Sequence, residues 1–310
     1  MAYQILVEAP LPEWVVEMIG EGHELHIWSA DMDVEAIDGF FIYGHIHVDG
    51  AFMDRMPALK VISNFGVGVD HIDLEAAQQR NIPVGNTPHL LDGATADMCF
   101  ALILATARNM IIGDRFARSA AFTLYDPTIL MGYEVHSTTL GIIGLGRIGY
   151  QVARRARAFD MEVLYHNRNP NPRAEADLGA QYVPLDELLE RADFVSLTTP
   201  LTAETRGLIG HRELGLMKET AILINVARGG VVDHDALLEA LQSGQIAAAG
   251  LDVTEPEPLP RDHPLLQLDN VVIIPHLGSC TRQTRRAMAQ LTIDNLRAGL
   301  DGRELPNRIA

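Results

Sequence analysis

The sequence predicts an α/β protein with two parallel β-sheets, each doubly wound by helices. Three observations carry this. Short apolar runs ending in glycine or a polar turn alternate with helical stretches between residues 3 and 88; a second, longer alternation runs from residue 139 to 300; and that second series opens on a glycine-rich turn joining a strand to a helix. Strands buried on both faces read as unbroken apolar runs, and their regular alternation with helices marks parallel crossover connections.

In the first series, "YQILVEA" (3–9) reads as a buried strand, followed by a short helix in "WVVEMIGEG" that Gly20 or Gly22 closes. "GFFIYG" (39–44), "LKVISNFG" (59–66) and "IPVGNTP" (82–88) read as further strands, with a helix over 74–81. A long apolar helix spans Thr95–Arg108, and 119–137 is an excursion with weak periodicity, broken by Asp126–Pro127 and Gly132. The second series supplies "LGIIG", "EVLYH", "FVSLTT", "AILINV", "AAAGLDV" and "VVIIPH", six strands with helices between most of them. A final helix over 282–300 is expected to return to the surface.

Composition narrows the function. At 310 residues there is room for two domains, and 47% hydrophobic with 21% charged residues is an ordinary globular mixture. A net charge of −17, from 41 acids against 24 bases, disfavours nucleic acid and anionic membrane surfaces as partners, so an anionic substrate needs a local cationic site. Lys60 and Lys218, the only lysines, lie outside any glycine-rich or acid-rich context, which argues against Schiff-base chemistry. Cys99 and Cys280 form no CxxC pair, so neither a disulfide framework nor a thiolate metal site is expected, and no metal is assigned. The amino terminus carries no basic leader pattern and no window reaches 18 uncharged apolar residues; the expectation is a cytoplasmic protein without a membrane partner.

"LGIIGLGRIGYQVARRARAF" places Gly144, Gly146 and Gly149 in GxGxxG spacing after a strand and at the opening of a helix, the context a dinucleotide site requires. Gly144 permits the turn, Gly146 lets pyrophosphate approach the backbone, and Gly149 lets helix and strand pack; Leu145, Arg147 and Ile148 complete the turn. The competing reading is a plain tight βα turn. The next strand ends on His166, Asn167 and Arg168 where an acid would grip a ribose 2′-hydroxyl. Arginine pairs with a 2′-phosphate and an acid would repel it, so NADPH is expected over NADH, unless His166 and Arg168 are simply solvated loop residues.

Three further fragments each follow a strand of the second series: "NVARGG" (225–230), "GLDVTEPEP" (250–258) and "PHLGSCT" (275–281). Open α/β sheets bind ligands at strand carboxyl ends, so an arginine, a glutamate and a histidine at three such ends can converge. Arg228 offers a fixed planar cation; its bland alternative is a structural ion pair with Asp233 or Asp252.

With "GVGVDHIDL" (66–74), "GNTPHLLDGATADM" (85–98), "GIIGLGRIG" (141–149), "TTPLTAETRGLIG" (198–210), "NVARGGVVD" (225–233) and "PLPRDHPLLQLDNVVIIPHLGS" (258–279), the chain resembles the D-2-hydroxyacid dehydrogenase family over essentially its whole length, and within it the glyoxylate/hydroxypyruvate reductase branch. The resemblance implies two Rossmann-like domains with a cleft between them: a discontinuous substrate domain (1–98 plus 283–310) and a dinucleotide-binding domain (99–282). It implies a homodimer, with 119–137 as the candidate arm. It places the catalytic roles on Arg228, Glu257 and His276: guanidinium on the substrate carboxylate and keto oxygen, imidazolium as proton donor, glutamate orienting it. A five-residue offset from Asp252 selects Glu257 over Glu255. It also implies carboxylate contacts from Val67 and Gly68, a pocket role for Ser279, and nicotinamide-side contacts from Thr95, Thr199, Ala227, Asp252 and Gly278, with Pro200 and Thr205 in the adjoining cofactor segment.

The family's partner-reaching tryptophan is absent; Phe122 and Tyr125 occupy that region, which implies a differently shaped distal pocket and bears on the substrate more than on the reaction. Cys280 stands where alanine is usual in the family and reads as a small packing residue, with an oxidation-sensitive thiol near the cofactor as the alternative. His45, His47, His71 and His89 default to surface or core roles, with "YGHIH" a secondary candidate for the pocket edge. The expected reaction is reduction of a small 2-oxo acid, glyoxylate or hydroxypyruvate in type, to the D-2-hydroxy acid. The alternatives are an NAD-dependent phosphoglycerate dehydrogenase-like enzyme and a nucleotide-sensing, corepressor-like binding protein.

Overall fold

The computed structural model describes residues 2–310. The chain forms two compact units, one of residues up to Leu91 together with Thr281–Ala310, the other Asp92–Cys280.

The first unit is built on five strands: β1 (Tyr3–Val7), β2 (His23–Ile27), β3 (Gly39–Ile42), β4 (Val61–Asn64) and β5 (Val84–Gly85). They lie in the order β2-β1-β3-β4-β5, and the pairings between them are parallel. β3 and β4 are buried along their length, as their apolar runs require. β2, "HELHI", lies outside the sequence expectation: it is a half-exposed edge strand whose polar residues carry no buried-strand pattern. The segment after the last helix pairs antiparallel with β5 at Gly85 and Arg308, and Ile309 N–H donates to the Val84 carbonyl at 2.9 Å.

The last helix, Arg282–Leu300, corrects another expectation. It does not run over the surface but buries Met288, Ala289, Ile293, Leu296 and Leu300 against β3 and β4. Glycines permit the close approach: a Cβ on Gly299 would stand 2.4 Å from Val61 Cβ, and one on Gly39 would stand 2.9 Å from Leu296 Cδ1.

The second unit holds seven parallel strands: β6 (Thr139–Ile143), β7 (Glu162–His166), β8 (Gln181–Tyr182), β9 (Phe194–Leu197), β10 (Ile222–Asn225), β11 (Ala248–Leu251) and β12 (Val271–Ile273). Their order, β12-β11-β10-β9-β6-β7-β8, puts the topological switch beside β6, where the chain winds outward first one way and then the other. β8, two exposed residues, is too short for its sequence to announce. Two apolar clusters cover the sheet. One joins Leu188, Leu214 and Leu237 from helices Leu185–Arg191, His211–Leu216 and His234–Ser243; the other joins Ile103, Val152 and Ala174 from helices Asp92–Ala107, Arg147–Ala158 and Pro172–Leu178. Helix Asp92–Ala107 is apolar on nearly all sides because it lies on β10 and β11 and also against helix Arg147–Ala158. No single helix among the described residues is long and apolar enough to cross a membrane.

His234 begins the helix behind β10 and is 8% exposed, with Nδ1 donating to the Val232 carbonyl at 3.2 Å. Burial disfavours its charged form and holds its pKa below the ordinary histidine value. The unfolded chain therefore takes up a proton that the folded chain refuses as pH falls from about 6.5 toward that lower value. Stability from this group is present above that window and lost within it. Thermal unfolding between about pH 7.5 and 5 should show Tm falling with pH, and His234→Leu should flatten part of that slope; an unchanged slope would remove His234 from the explanation.

Candidate active site

The glycine-rich turn sits at the carboxyl end of β6. Gly144 has φ +96°, and a Cβ there would stand 2.6 Å from the Thr199 backbone nitrogen, so only glycine fits. Gly149 packs its helix onto the turn, where a Cβ would stand 2.7 Å from the Gly144 carbonyl oxygen. Gly146 differs: a Cβ there meets nothing within 4 Å. Its backbone faces open space at the start of helix Arg147–Ala158, where unpaired N–H groups attract anions. The open approach to Gly146 fits a dinucleotide pyrophosphate.

That open space belongs to a cleft of about 450 Å³ at the carboxyl ends of β6, β7 and β9. Gly144, Gly146, His166, Asn167, Arg168, Thr199, Pro200 and Thr205 line it, together with Thr202 and Glu204, which the sequence reading did not single out. The other candidates of the turn are placed differently. Leu145 is buried in the core, Ile148 packs half-buried against it, and Arg147 faces Asp92 at 3.6 Å. Asn167 turns its amide onto the glycine-rich loop, accepting from Leu145 N–H at 2.6 Å and donating to the Leu145 carbonyl at 3.2 Å. His166 Nδ1 donates to the Val183 carbonyl at 3.0 Å, which leaves Nε2 for the cleft side of the ring's chemistry. Thr205 Oγ donates to the Pro200 carbonyl at 2.6 Å and so shapes the wall it stands in. The Thr202 hydroxyl, with a smaller contribution from the Arg168 charge, holds the Glu204 carboxyl below its usual range.

The loops after β10, β11 and β12 carry the other candidates. Asn225 ends β10 fully buried; its amide donates to the Arg228 carbonyl at 2.9 Å and accepts from Ala227 N–H at 3.0 Å, closing the turn that presents Arg228. The glycine after Arg228 is a packing requirement: a Cβ on Gly229 would lie 2.0 Å from the Thr254 backbone carbon. The two carboxylates named as structural partners for Arg228 serve backbone N–H groups: Asp233 caps helix His234–Ser243, accepting from Asp235 and Ala236. Asp252, 2% exposed, accepts from Leu277 N–H at 2.5 Å and Gly278 N–H at 2.9 Å. Burial pushes the Asp252 pKa up, against the lowering by the Leu277 N–H and the nearby His276.

These bonds set His276. It has φ +54°, uncommon for a residue with a side chain, and its N–H donates to the Asp252 carbonyl at 2.8 Å. Its Nδ1 stands 2.8 Å from Glu257 Oε1. Glu255, the alternative glutamate, lies 3.7 Å from Arg206 instead. A carboxylate only accepts, so Nδ1 carries a hydrogen toward Glu257. Gly278 packs close to both Asp252 and Thr95, Ala227 is buried, and Ser279 is 9% exposed. Cys280 is exposed, which corrects its reading as a packing residue, and no group of three or more His, Cys, Asp or Glu side chains among the described residues is arranged to hold a metal.

In the first unit, residues 66–68 form the loop after β4. The carbonyls of Gly66 and Gly68 accept from Asn64 Nδ2 at 3.2 and 2.9 Å, and that of Val67 accepts from Asn86 Nδ2 at 2.8 Å. Among the described residues no hydrogen bond uses the N–H of Val67 or Gly68 as donor. Asparagines at the ends of β4, β5, β7 and β10 thus do the local positioning. Their only signal in sequence is an Asn just past an apolar run, the pattern of side chains that bond nearby backbone.

A doubly wound sheet with an open glycine-rich turn at its switch point, and a histidine–glutamate pair following β11 and β12 of the same sheet, fits an NAD(P)-dependent dehydrogenase. The family model for the D-isomer specific 2-hydroxyacid dehydrogenase NAD binding domain matches residues 100–278, and the chain belongs to that family. Among similar proteins, the glyoxylate reductase of Thermococcus onnurineus is 42% identical over an alignment covering 100% of this chain and 96% of its own. That of Pyrococcus furiosus is 43% identical, covering 99% and 94%. Of solved structures, the NADPH-dependent glyoxylate/hydroxypyruvate reductase of Sinorhizobium meliloti, in complex with NADP and malonate, superposes with a TM-score of 0.89 at 34% identity, covering 100% of this chain and 97% of that one. A protein of Thermus thermophilus superposes with a TM-score of 0.90 at 45% identity, covering 99% and 100%.

The two glycines of the turn make separable predictions. Gly144→Ala forces a strained φ and a backbone clash, and should cost about 1–3 kcal/mol and several degrees of Tm. Gly146→Ala should leave Tm within about 2 °C, since its methyl group meets only open space. Differential scanning calorimetry of both variants checks this; equal losses would mean that the turn is not built as described.

Proposed function

We propose that this chain is an NADPH-dependent reductase of small 2-oxo acids, glyoxylate or hydroxypyruvate in type, yielding the D-2-hydroxy acid. The observation that carries the proposal is the 2.8 Å pair of His276 Nδ1 and Glu257 Oε1 at the sheet's carboxyl edge. When bound, the reduced nicotinamide supplies a hydride for the carbonyl carbon. The chain supplies the rest. Glu257 holds the ring so that Nε2 gives the proton which the new alkoxide needs. Arg228, fixed by the Asn225 turn, pairs with the substrate's anionic end and draws charge onto the keto oxygen. In the first unit, the N–H groups of Val67 and Gly68 hold carboxylate oxygens.

The cofactor preference rests on Arg168 and the absence of an acid at the end of β7. NADH is the second reading, favoured by Glu204, a carboxylate in the same cleft that opposes a 2′-phosphate. The neighbour named as binding NADP supports the first. A panel of 2-oxo acids assayed with both cofactors decides between them. Turnover of glyoxylate or hydroxypyruvate with the lower KM for NADPH is expected; a lower KM for NADH reverses the cofactor assignment, and no turnover with any acid favours a nucleotide-sensing binding protein. In the same assay Arg228→Gln should lose about 10²-fold or more in kcat/KM while the chain still folds. Normal glyoxylate reduction by that variant would return Arg228 to a structural role.

A homodimer is part of the proposal. Leu124, Tyr125 and Met131 are 80%, 77% and 76% exposed in the stretch 119–137, an apolar surface that a second copy would cover. Sedimentation equilibrium should give twice the mass of 34.0 kDa, and a monomer at micromolar concentration would refute it.

A further inference from the structure

The loop 66–68 is wired to a distant part of the chain through a chain of asparagine side chains. Asn86, 6% exposed, donates through Nδ2 to the Val67 carbonyl at 2.8 Å. Its Oδ1 accepts from Asn307 Nδ2 at 2.6 Å. Asn295, fully buried on the last helix, donates to the Asn86 backbone carbonyl at 3.1 Å and accepts from the Asn307 N–H at 2.9 Å. Each amide in this relay is therefore fixed in one orientation. Asn86 has its acceptor toward Asn307, and so its donor must face Val67.

The consequence falls on the loop's polarity. The carbonyls of Gly66, Val67 and Gly68 are all drawn to asparagine donors, while the N–H groups of Val67 and Gly68 are engaged by no bond among the described residues. A peptide plane whose oxygen is anchored presents its N–H on the other side, and successive N–H groups so presented form an anion nest. Anchoring costs nothing at the moment of binding, because the donors are already in place.

We propose that Asn307, acting through Asn86, is a positioning residue that sets the substrate affinity of the Val67–Gly68 loop. It touches neither substrate nor cofactor. The proposal rests on the reading that this loop holds the substrate carboxylate, and the test separates the two.

Steady-state kinetics of the full chain with glyoxylate at saturating NADPH distinguish the relay from mere packing. Asn307→Ala removes the donor but lets Asn86 keep its orientation, and should raise the glyoxylate KM about twofold to threefold. Asn307→Asp is nearly isosteric yet offers an acceptor. Asn86 then turns its amide to donate to Asp, and its oxygen faces the Val67 carbonyl. That variant should raise KM about tenfold or more, with kcat within about twofold and KM for NADPH unchanged. A smaller effect of Asp than of Ala, or a fall in kcat matching the rise in KM, overturns the relay. Should Asn307→Asp not fold, Asn86→Asp against Asn86→Ala carries the same contrast, because aspartate there aims an oxygen at the Val67 carbonyl. Val67→Pro removes the loop's own N–H. If it leaves the glyoxylate KM unchanged, the carboxylate reading fails and the relay with it. If it raises KM while Asp acts no more than Ala at position 307, the relay alone fails.

Discussion

The buried carboxylate of Asp252 is the constraint on which the histidine end of the site depends. One residue takes both N–H groups that follow His276 on its side chain, and the His276 N–H on its own carbonyl. Those three bonds help hold a histidine at positive φ, a conformation that costs free energy on its own. The ring's position relative to Glu257 follows from that backbone. Burial works against the Asp252 charge, and the two N–H donors are what make a carboxylate tolerable there.

The same economy governs the other strand ends. At four strand ends a short polar side chain takes up loop backbone groups: Asn64 after β4 and Asn225 after β10 bond their own loops, Asn86 after β5 the loop that follows β4, and Asn167 after β7 the glycine-rich turn that follows β6. Glycines mark where two such loops pass within contact distance, as Gly229 does against Thr254 and Gly144 against Thr199. Shape and chemistry are divided between the two residue types. Asparagine fixes a loop's hydrogen bonds, and glycine lets the fixed loop lie against its neighbour.

Much of this was legible in the sequence for physical reasons. Strands buried on both faces leave unbroken apolar runs, so β1, β3, β4, β6, β7, β9, β10 and β11 stand out. The glycine turn combines a positive φ with close packing, which no other residue satisfies. What was illegible has equally definite causes. β2 is an edge with polar residues, and β8 is two residues long. The final helix reads as a surface element because its charged residues crowd its first turns, while its buried face depends on Val61 and Gly39, more than 200 positions earlier. The choice between Glu255 and Glu257 turned on an offset, and what separates them physically is a 2.8 Å contact that no spacing rule contains. The asparagine contacts are long-range and leave no periodic trace: Asn86 meets Asn307 across 221 positions.

That separation along the chain has a bearing on biogenesis. The helix Arg282–Leu300 and the strand-like pairing at Arg308 are synthesised after the whole of Asp92–Cys280, yet they complete the sheet and core of a unit that began at the amino terminus. On the ribosome, the inserted unit owns all its elements as soon as Cys280 emerges. The earlier segment must wait with Gly39 and Val61, which pack against Leu296 and Gly299 when folding is complete, still lacking their cover. The nascent chain thus leaves one face of that first sheet uncovered until the last helix emerges, the kind of transiently exposed surface and unpaired edge that invites misassembly.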